Sequence, residues 1–434
     1  MVEKQLRGYI VPNILAMTGI SCYVLADTFF ISKAEGVDGI TALNLMLPVF
    51  SLIFAIGSMI GIGSATRYTL RRALGKDNAG EYFSNSVIST LIISLPFVLC
   101  GIFIPQYVLN LLGADDDIIG LSIPYLRIIL CCTPFFMLNY TFTSFVRNDG
   151  APRTAMTATL TSGGFNILFD YIFMFPMKMG LTGAALATGI SPAVSMLVCM
   201  SHFLSERSNI RFQLAAPSLS KLISACALGT FSFVGEMSGG LTTMVFNFIL
   251  LKYDGNIGVA AYGITANIAI VGNALFSGVS QGLQPLASDV HGKGETDAER
   301  QILRYCVKLS LIIAFLMIII VMLFASPITD IFNSSHSEEL ANRSEYGMRL
   351  YFVGFIFAAV NIISAGYFSA TDRGRASAVI SISRGVAAIT VFAFILSAIL
   401  GTTGIWLAFP ASELFTLMLT TFCLKRRNIN TELH

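Results

Sequence analysis

A chain of 434 residues that is 55% hydrophobic and only 12% charged carries about half the charged fraction of a soluble domain, which excludes a soluble globular protein. Its formal net charge of +2, without any long basic run, gives no reason to expect nucleic acid as a partner. Eight cysteines lie mostly within apolar stretches and none form a Cys-x-x-Cys pair, so neither a zinc site nor a disulfide scaffold is expected.

A helix needs about 20 apolar residues to cross the hydrocarbon of a bilayer. Twelve segments meet that length, at 9–31, 41–66, 85–107, 121–146, 154–176, 183–204, 222–251, 260–288, 306–326, 346–371, 378–400 and 404–424. The first has no small-residue cleavage site and carries Pro12 and Asp27, so it reads as a retained helix rather than a signal peptide. The loops are short and leave no room for a folded domain outside the membrane. The fold class expected is therefore an all-α polytopic membrane protein.

The spans repeat. Ala42, Gly63 and Gly75 recur as Ala261, Gly282 and Gly294. Arg127 recurs as Arg349, and Gly180-Leu-Thr-Gly-Ala-Ala-Leu-Ala recurs as Gly401-Thr-Thr-Gly-Ile-Trp-Leu-Ala. Two pseudo-symmetric six-helix lobes follow, at 1–204 and 222–434, joined by a polar linker at 205–221, with a cleft between them. That arrangement is common among secondary transporters.

Basic residues orient the spans. Of the 27 Lys and Arg, all but Lys33, Arg127, Lys178, Lys252, Arg343 and Arg349 fall on one side, which predicts that both termini are cytoplasmic. The acidic run Asp115-Asp116-Asp117 then lies outside. Short loops and the lack of a targeting extension predict a prokaryotic inner (plasma) membrane.

Few acids lie within spans: Asp27 in span 1, Asp170 in span 5, Glu236 in span 7 and Glu413 in span 12, with Asp372 at the end of span 10. A charge near the bilayer centre costs about 2.5–3.5 kcal/mol on insertion scales, so each needs a reason to be there. With span 1 ending near 31 and span 5 near 176, Asp27 and Asp170 fall about 6 and 9 Å below the outer ends at 1.5 Å per residue. Thr188 reaches a similar depth on span 6. Asn166 shares a helix face with Asp170, and Asn139 lies midway along span 4. A pair of desolvated carboxyls can gain and lose a proton near neutral pH, or hold sodium with Asn and Thr oxygens. Structural hydrogen bonding between helices is the simpler role each residue could have, above all Glu413 and Asp372. The second lobe has no Asn-x-x-x-Asp, so this site belongs to one lobe. Pro12 lies about four turns from Asp27 and removes one helix hydrogen bond, which favours a hinge.

No Gly-x-x-x-x-Gly-Lys-Ser/Thr occurs, so ATP is not expected to drive the protein, and no nucleophile–base pair within a span indicates an enzyme. The 34 Phe and 17 Met suit a cavity that repacks around varied ligands, lined by Asn247, Asn267, Asn273, Gln281 and Gln284 as candidate polar groups.

Across essentially its whole length the chain resembles the multidrug and toxic compound extrusion (MATE) transporters of bacterial and archaeal type. The stretches that carry the resemblance are Leu25-Ala-Asp-Thr-Phe-Phe-Ile, Gly61-Ile-Gly-Ser-Ala, Arg147-Asn-Asp-Gly-Ala-Pro-Arg, Asn166-Ile-Leu-Phe-Asp, Gly183-Ala-Ala-Leu-Ala-Thr and Gln281-Gly-Leu-Gln-Pro. The resemblance implies a V-shaped central cavity and export of drug-like, often cationic, compounds in exchange for protons or sodium, by a monomer without cofactors. It implies Pro12 as hinge and Asp27, Asn139, Asn166, Asp170 and Thr188 as the coupling site, with Glu236 as a cation-binding residue. Either lobe is left open as the site of coupling. A lipid-linked oligosaccharide flippase of the same superfamily is the alternative, although only Arg127 and Arg349 offer basic groups toward a cavity. A membrane scaffold or receptor that transports nothing would not need titratable acids in one lobe.

Overall fold

The computed structural model describes residues 2–112, 116–212, 217–332 and 337–431. Asp115, His336 and His434 therefore lie outside the described residues. Helices α1 Gln5–Gly36, α2 Thr41–Ala73, α3 Glu81–Phe103, the bent pair α4 Ile118–Cys131 and Thr133–Asn148, α5 Pro152–Met174 and α6 Gly180–Phe203 make the first lobe. The second lobe holds α7 Leu219–Gly255, α8 Ile257–Gly292, α9 Thr296–Phe332, the bent pair α10 Glu338–Phe352 and Phe355–Ala370, α11 Gly374–Leu400 and α12 Thr402–Lys425. Nine of these are apolar and long enough alone, and the two bent pairs bring the number to eleven. The twelfth, α5, has 23 residues and spans about 34 Å at 1.5 Å per residue. Its Thr, Ser, Asn and Asp side chains make it the least apolar of the set, and two of them build the site below.

The repeat is visible in the backbone. Gly36 and Gly255 both sit at φ 63°, between the first and second helices of their lobes. Gly75 and Gly294 pair at φ 65° and 75°, and Gly180 and Gly401 at 52° and 60°. Glycine populates this left-handed region without the steric penalty a Cβ incurs, so each lobe turns its chain at matching points.

Glycines also decide where the lobes meet. On α2, a Cβ at Gly63 would overlap the Ala225 carbonyl of α7, and one at Gly229 would overlap the Met59 carbonyl. The symmetry-related pair is α8 on α1: a Cβ at Gly282 would lie 2.8 Å from Ile10 Cα, and one at Gly278 would lie 2.7 Å from Ile14 Cα. Leu6 and Ile10 of α1 complete this seam by packing with Val279, Leu283 and Ala287 of α8. All of these residues lie toward the end at which α1 begins and α12 finishes, called the proximal end here. The bundle is thus a V of two lobes, joined proximally and parting around a distal cavity. The described parts of the connecting segment are held against the bundle on both sides. Ile210 is buried with Tyr68, Phe83 and Phe145. The Ser218 amide donates to Asn85 Oδ1 at 2.6 Å, and Lys221 pairs with Glu81.

Replacing Gly229 by Ala is expected to force α2 and α7 apart at a cost of about 1–3 kcal/mol, typical of overpacking. Thermal unfolding in detergent would register it as a lower midpoint. An unchanged midpoint would show that the seam is slack.

Candidate functional site

Helix α5 carries Asn166 and Asp170 one turn apart, so both face the interior of the first lobe, at 1% and 0% exposure. Asn166 Nδ2 donates to Thr188 Oγ1 of α6 at 3.2 Å. From α1, Asp27 brings its carboxyl within hydrogen-bonding reach of Asp170. Two ionised carboxylates are both acceptors only, so a bond between them requires a shared proton. Both Asp170 oxygens, Asp27 Oδ1, Asn166 Oδ1 and Asn139 Oδ1 are buried without a hydrogen-bond partner. Burying acceptors in this way is costly unless a cation or proton satisfies them.

Four of the expected residues, Asp27, Asn166, Asp170 and Thr188, therefore converge. Asn139 makes no side-chain hydrogen bond with them; its backbone carbonyl accepts from Thr143 Oγ1 at 2.7 Å. The expected depths need correction. Helix α1 runs on to Gly36, which puts Asp27 about 14 Å from its distal end, while α5 stops at Met174, only about 6 Å beyond Asp170. The polar turn Ser32-Lys-Ala-Glu-Gly continues the helix past the apolar run, because Glu35 caps the start of α6 by accepting from the Leu181 amide at 3.1 Å. Pro12 lies within helix that continues unbroken around it. The following side chain, Asn13 Nδ2, donates to the Tyr9 carbonyl at 2.7 Å, close to where the proline ring removes a donor.

Sequence reasoning missed three tyrosines. Tyr125 of α4 is buried beside both carboxyls with an unpartnered hydroxyl. Tyr23 lies one turn before Asp27 and packs over Gly163 of α5. Its i, i+4 spacing to Asp27 was the available signal. Tyr140 of α4 donates to Glu236 Oε1 of α7 at 3.4 Å, across the two lobes. Glu236 is solvent-accessible although protein surrounds it, which places it on the wall of the cleft, apart from the Asp27–Asp170 pair.

The candidate cavity polars separate. Asn247, Asn267 and Asn273 are half-buried on α7 and α8. Gln281 Nε2 donates to Met17 Sδ at 3.5 Å, so it belongs to the seam between lobes. Gln284 does not line the cleft: it is 1% exposed and points at Gly366 of α10, inside the second lobe. Its position on α8, one turn after Ser280 on the face toward α10, is what buries it.

The second lobe handles its acid differently. Glu413 accepts from Arg384 Nε at 3.1 Å and Nη2 at 2.9 Å, and from Asn361 Nδ2 at 2.8 Å. Asn361 Oδ1 accepts in turn from Thr420 Oγ1 at 2.8 Å. This acid is neutralised and fully partnered, as its structural role requires. A fifth acid, Asp149 of the first lobe, was not singled out from the sequence. It is 6% exposed and accepts from Tyr68 Oη and Arg72 at 2.7 Å each, His202 Nε2 at 3.0 Å and the Asn209 amide at 2.9 Å, tying the connecting segment to α2. Among the described residues no three His, Cys, Asp or Glu side chains cluster closely enough to chelate a metal.

Asp27→Asn would supply Asp170 with an amide donor in place of a competing carboxyl. It is expected to unfold at the same temperature as the parent or higher in neutral detergent solution. A drop of several degrees would mean that the acid pair is itself a stabilising contact.

The family model described as MatE matches residues 12–172 and 232–395, one segment in each lobe. Among relatives, the chain is 27% identical to the multidrug export protein MepA of Staphylococcus saprophyticus over 98% of its own length and 95% of that protein. Two solved structures share the fold at 22% identity. One is a MOP superfamily transporter from Pyrococcus furiosus, with a TM-score of 0.91 over 98% of this chain and 96% of that one. The other is a multidrug resistance MATE transporter in an outward-facing conformation, with a TM-score of 0.89 over 99% and 96%. With a match in both lobes, and with the glycine-paired halves that the match requires, the chain belongs to the MATE family of membrane transporters.

Proposed function

We propose that this protein is a proton-coupled antiporter that exports drug-like, often cationic, organic compounds across a prokaryotic plasma membrane. It works as a monomer with both termini in the cytoplasm, without a cofactor or nucleic-acid partner. The observation that carries this reading is the adjoining carboxyls of Asp27 and Asp170, with unpartnered oxygens around them, in one lobe only. The excess of Lys and Arg on the proximal side supports the orientation. Similarity to a staphylococcal multidrug export protein supports the substrate class.

Coupling needs a cation site whose occupancy changes the shape of the drug cavity. Helix α1 links the two: Asp27 lies in the proton site and Pro12 about four turns away. A proton arriving from the distal, outer side relieves the repulsion between Asp27 and Asp170. The carboxyls then draw together, α1 shifts about Pro12, and the cavity in the first lobe contracts and expels its ligand. Glu236 on the cleft wall attracts a cationic substrate before release. Sodium is the second reading. It is favoured by the number of acceptor oxygens, since Asp27, Asp170, Asn166 and Thr188 together offer the oxygen ligands that a hard cation takes.

The test is efflux of ethidium from liposomes under separately imposed proton and sodium gradients. Efflux on a proton gradient alone, lost in Asp27→Asn at unchanged expression, is the expected result. Efflux that requires sodium would transfer the coupling to that ion, and normal efflux by Asp27→Asn would overturn the site.

A further inference from the structure

Asp372 sits just past the proximal end of α10, which stops at Ala370. Its surroundings indicate a role between the lobes. The carboxyl of Asp372 crosses between lobes to Arg67 of α2, with Nη1 to Oδ1 at 2.6 Å. Arg67 Nε meanwhile donates to the Ser224 carbonyl of α7 at 3.2 Å, so one guanidinium holds two elements of the opposite lobe. One turn away lies the close approach of Gly63 to Ala225 and Gly229. On the second-lobe side, Gly374 packs on the Ala227 carbonyl, which holds the turn carrying Asp372 against α7.

The backbone at Asp372 is unusual. It has φ 56°, one of two non-glycine residues with positive φ among those described. The matching turn of the first lobe, between α4 and α5, uses Gly150 at φ 95° for the same reversal. A residue with a Cβ in this region is disfavoured relative to glycine. The second lobe therefore accepts strain where a glycine would serve, and what the Asp adds is the carboxylate that reaches Arg67. Strain of this kind persists where surrounding contacts hold it and collects at switch regions.

We infer that Arg67 and Asp372 form a latch that holds the proximal end shut while the cavity faces the distal side. It breaks each time the lobes rock to the opposite orientation. The inference rests on the export reading above, since a compound taken up on the proximal side and released on the distal side requires the proximal end to open in each cycle. The strength of the pair suits the task. The two side chains are 20% and 47% exposed, so water competes for both and the bridge is weak enough to open in every cycle. A dry, fully partnered pair such as Arg384–Glu413 would not release so readily.

Spin labels at the exposed positions Lys76 and Glu295, one in each lobe at the proximal end, would report the opening as a distance distribution in detergent or nanodiscs. No substrate or ion gradient is needed, so failure of the latch is distinguishable from failure of the export reading. Arg67→Gln and Asp372→Gly are each expected to raise the long-distance, proximally open population about two- to fivefold. The double variant should raise it no further than Arg67→Gln alone, because the contact that Asp372→Gly removes is already lost with Arg67. Asp372→Gly also separates gating from folding. Glycine relieves the backbone at this turn, so thermal stability should hold or rise while the open population grows. A distance distribution unchanged in both single variants would overturn the latch, as would additive effects in the double variant.

Discussion

The contact of four glycines with the opposite lobe is the constraint from which the rest of the architecture follows. Gly63 and Gly229 let α2 and α7 touch backbone to backbone, and Gly278 and Gly282 do the same for α8 against α1. Membrane helices gain little from burying apolar groups against one another, because lipid is as apolar as a leucine side chain. Close approach of small residues is what remains to join two lobes, and here it is confined to the proximal half. The distal half therefore parts, and a cleft opens between helices that each lobe repeats. The same confinement gives the protein its pivot: a seam of small residues can come apart and re-form without rebuilding either lobe's own core.

Within that symmetric frame the two lobes treat charge in opposite ways. In the second, Glu413 is matched by Arg384 and Asn361, and Asn361 in turn by Thr420. In the first, Asp27 Oδ1, both Asp170 oxygens and the Tyr125 hydroxyl are buried with no hydrogen-bond partner. An arrangement of the first kind stiffens a lobe, whereas one of the second kind depends on what cation occupies it. On the proposed coupling, this asymmetry would make α1 and its neighbours the moving part and the second lobe the firmer frame. The unbroken helix through Pro12 is compatible with it, since a proline at that point lowers the cost of bending without imposing a bend.

Much of this was legible in the sequence because the relevant signals are local or periodic. The glycine repeats gave the lobes, and the i, i+4 spacing of Asn166 and Asp170 gave one side of the site. Other features depend on tertiary contacts that no local pattern carries. The extent of α1 was underestimated because hydropathy measures the hydrocarbon crossing, while the helix continues through Glu35 to a cap on α6. Gln284 looked like a cavity residue and is buried against α10. Asp149 gathers donors from α2, α6 and the connecting segment, and Tyr125 of α4 is buried with an unpartnered hydroxyl. Asp372 read as a structural acid at the end of span 10, and its partner proves to be Arg67, far away in sequence.

The central claim is that the coupling cation is a proton held by Asp27 and Asp170. It is tested most directly by following proton release with a pH indicator when ethidium is added to the purified protein in weakly buffered detergent solution. The parent should release protons on binding, while Asp27→Asn and Asp170→Asn bind ethidium and release few or none. Proton release equal to the parent's in both variants would contradict the account and move the coupling site elsewhere in the molecule.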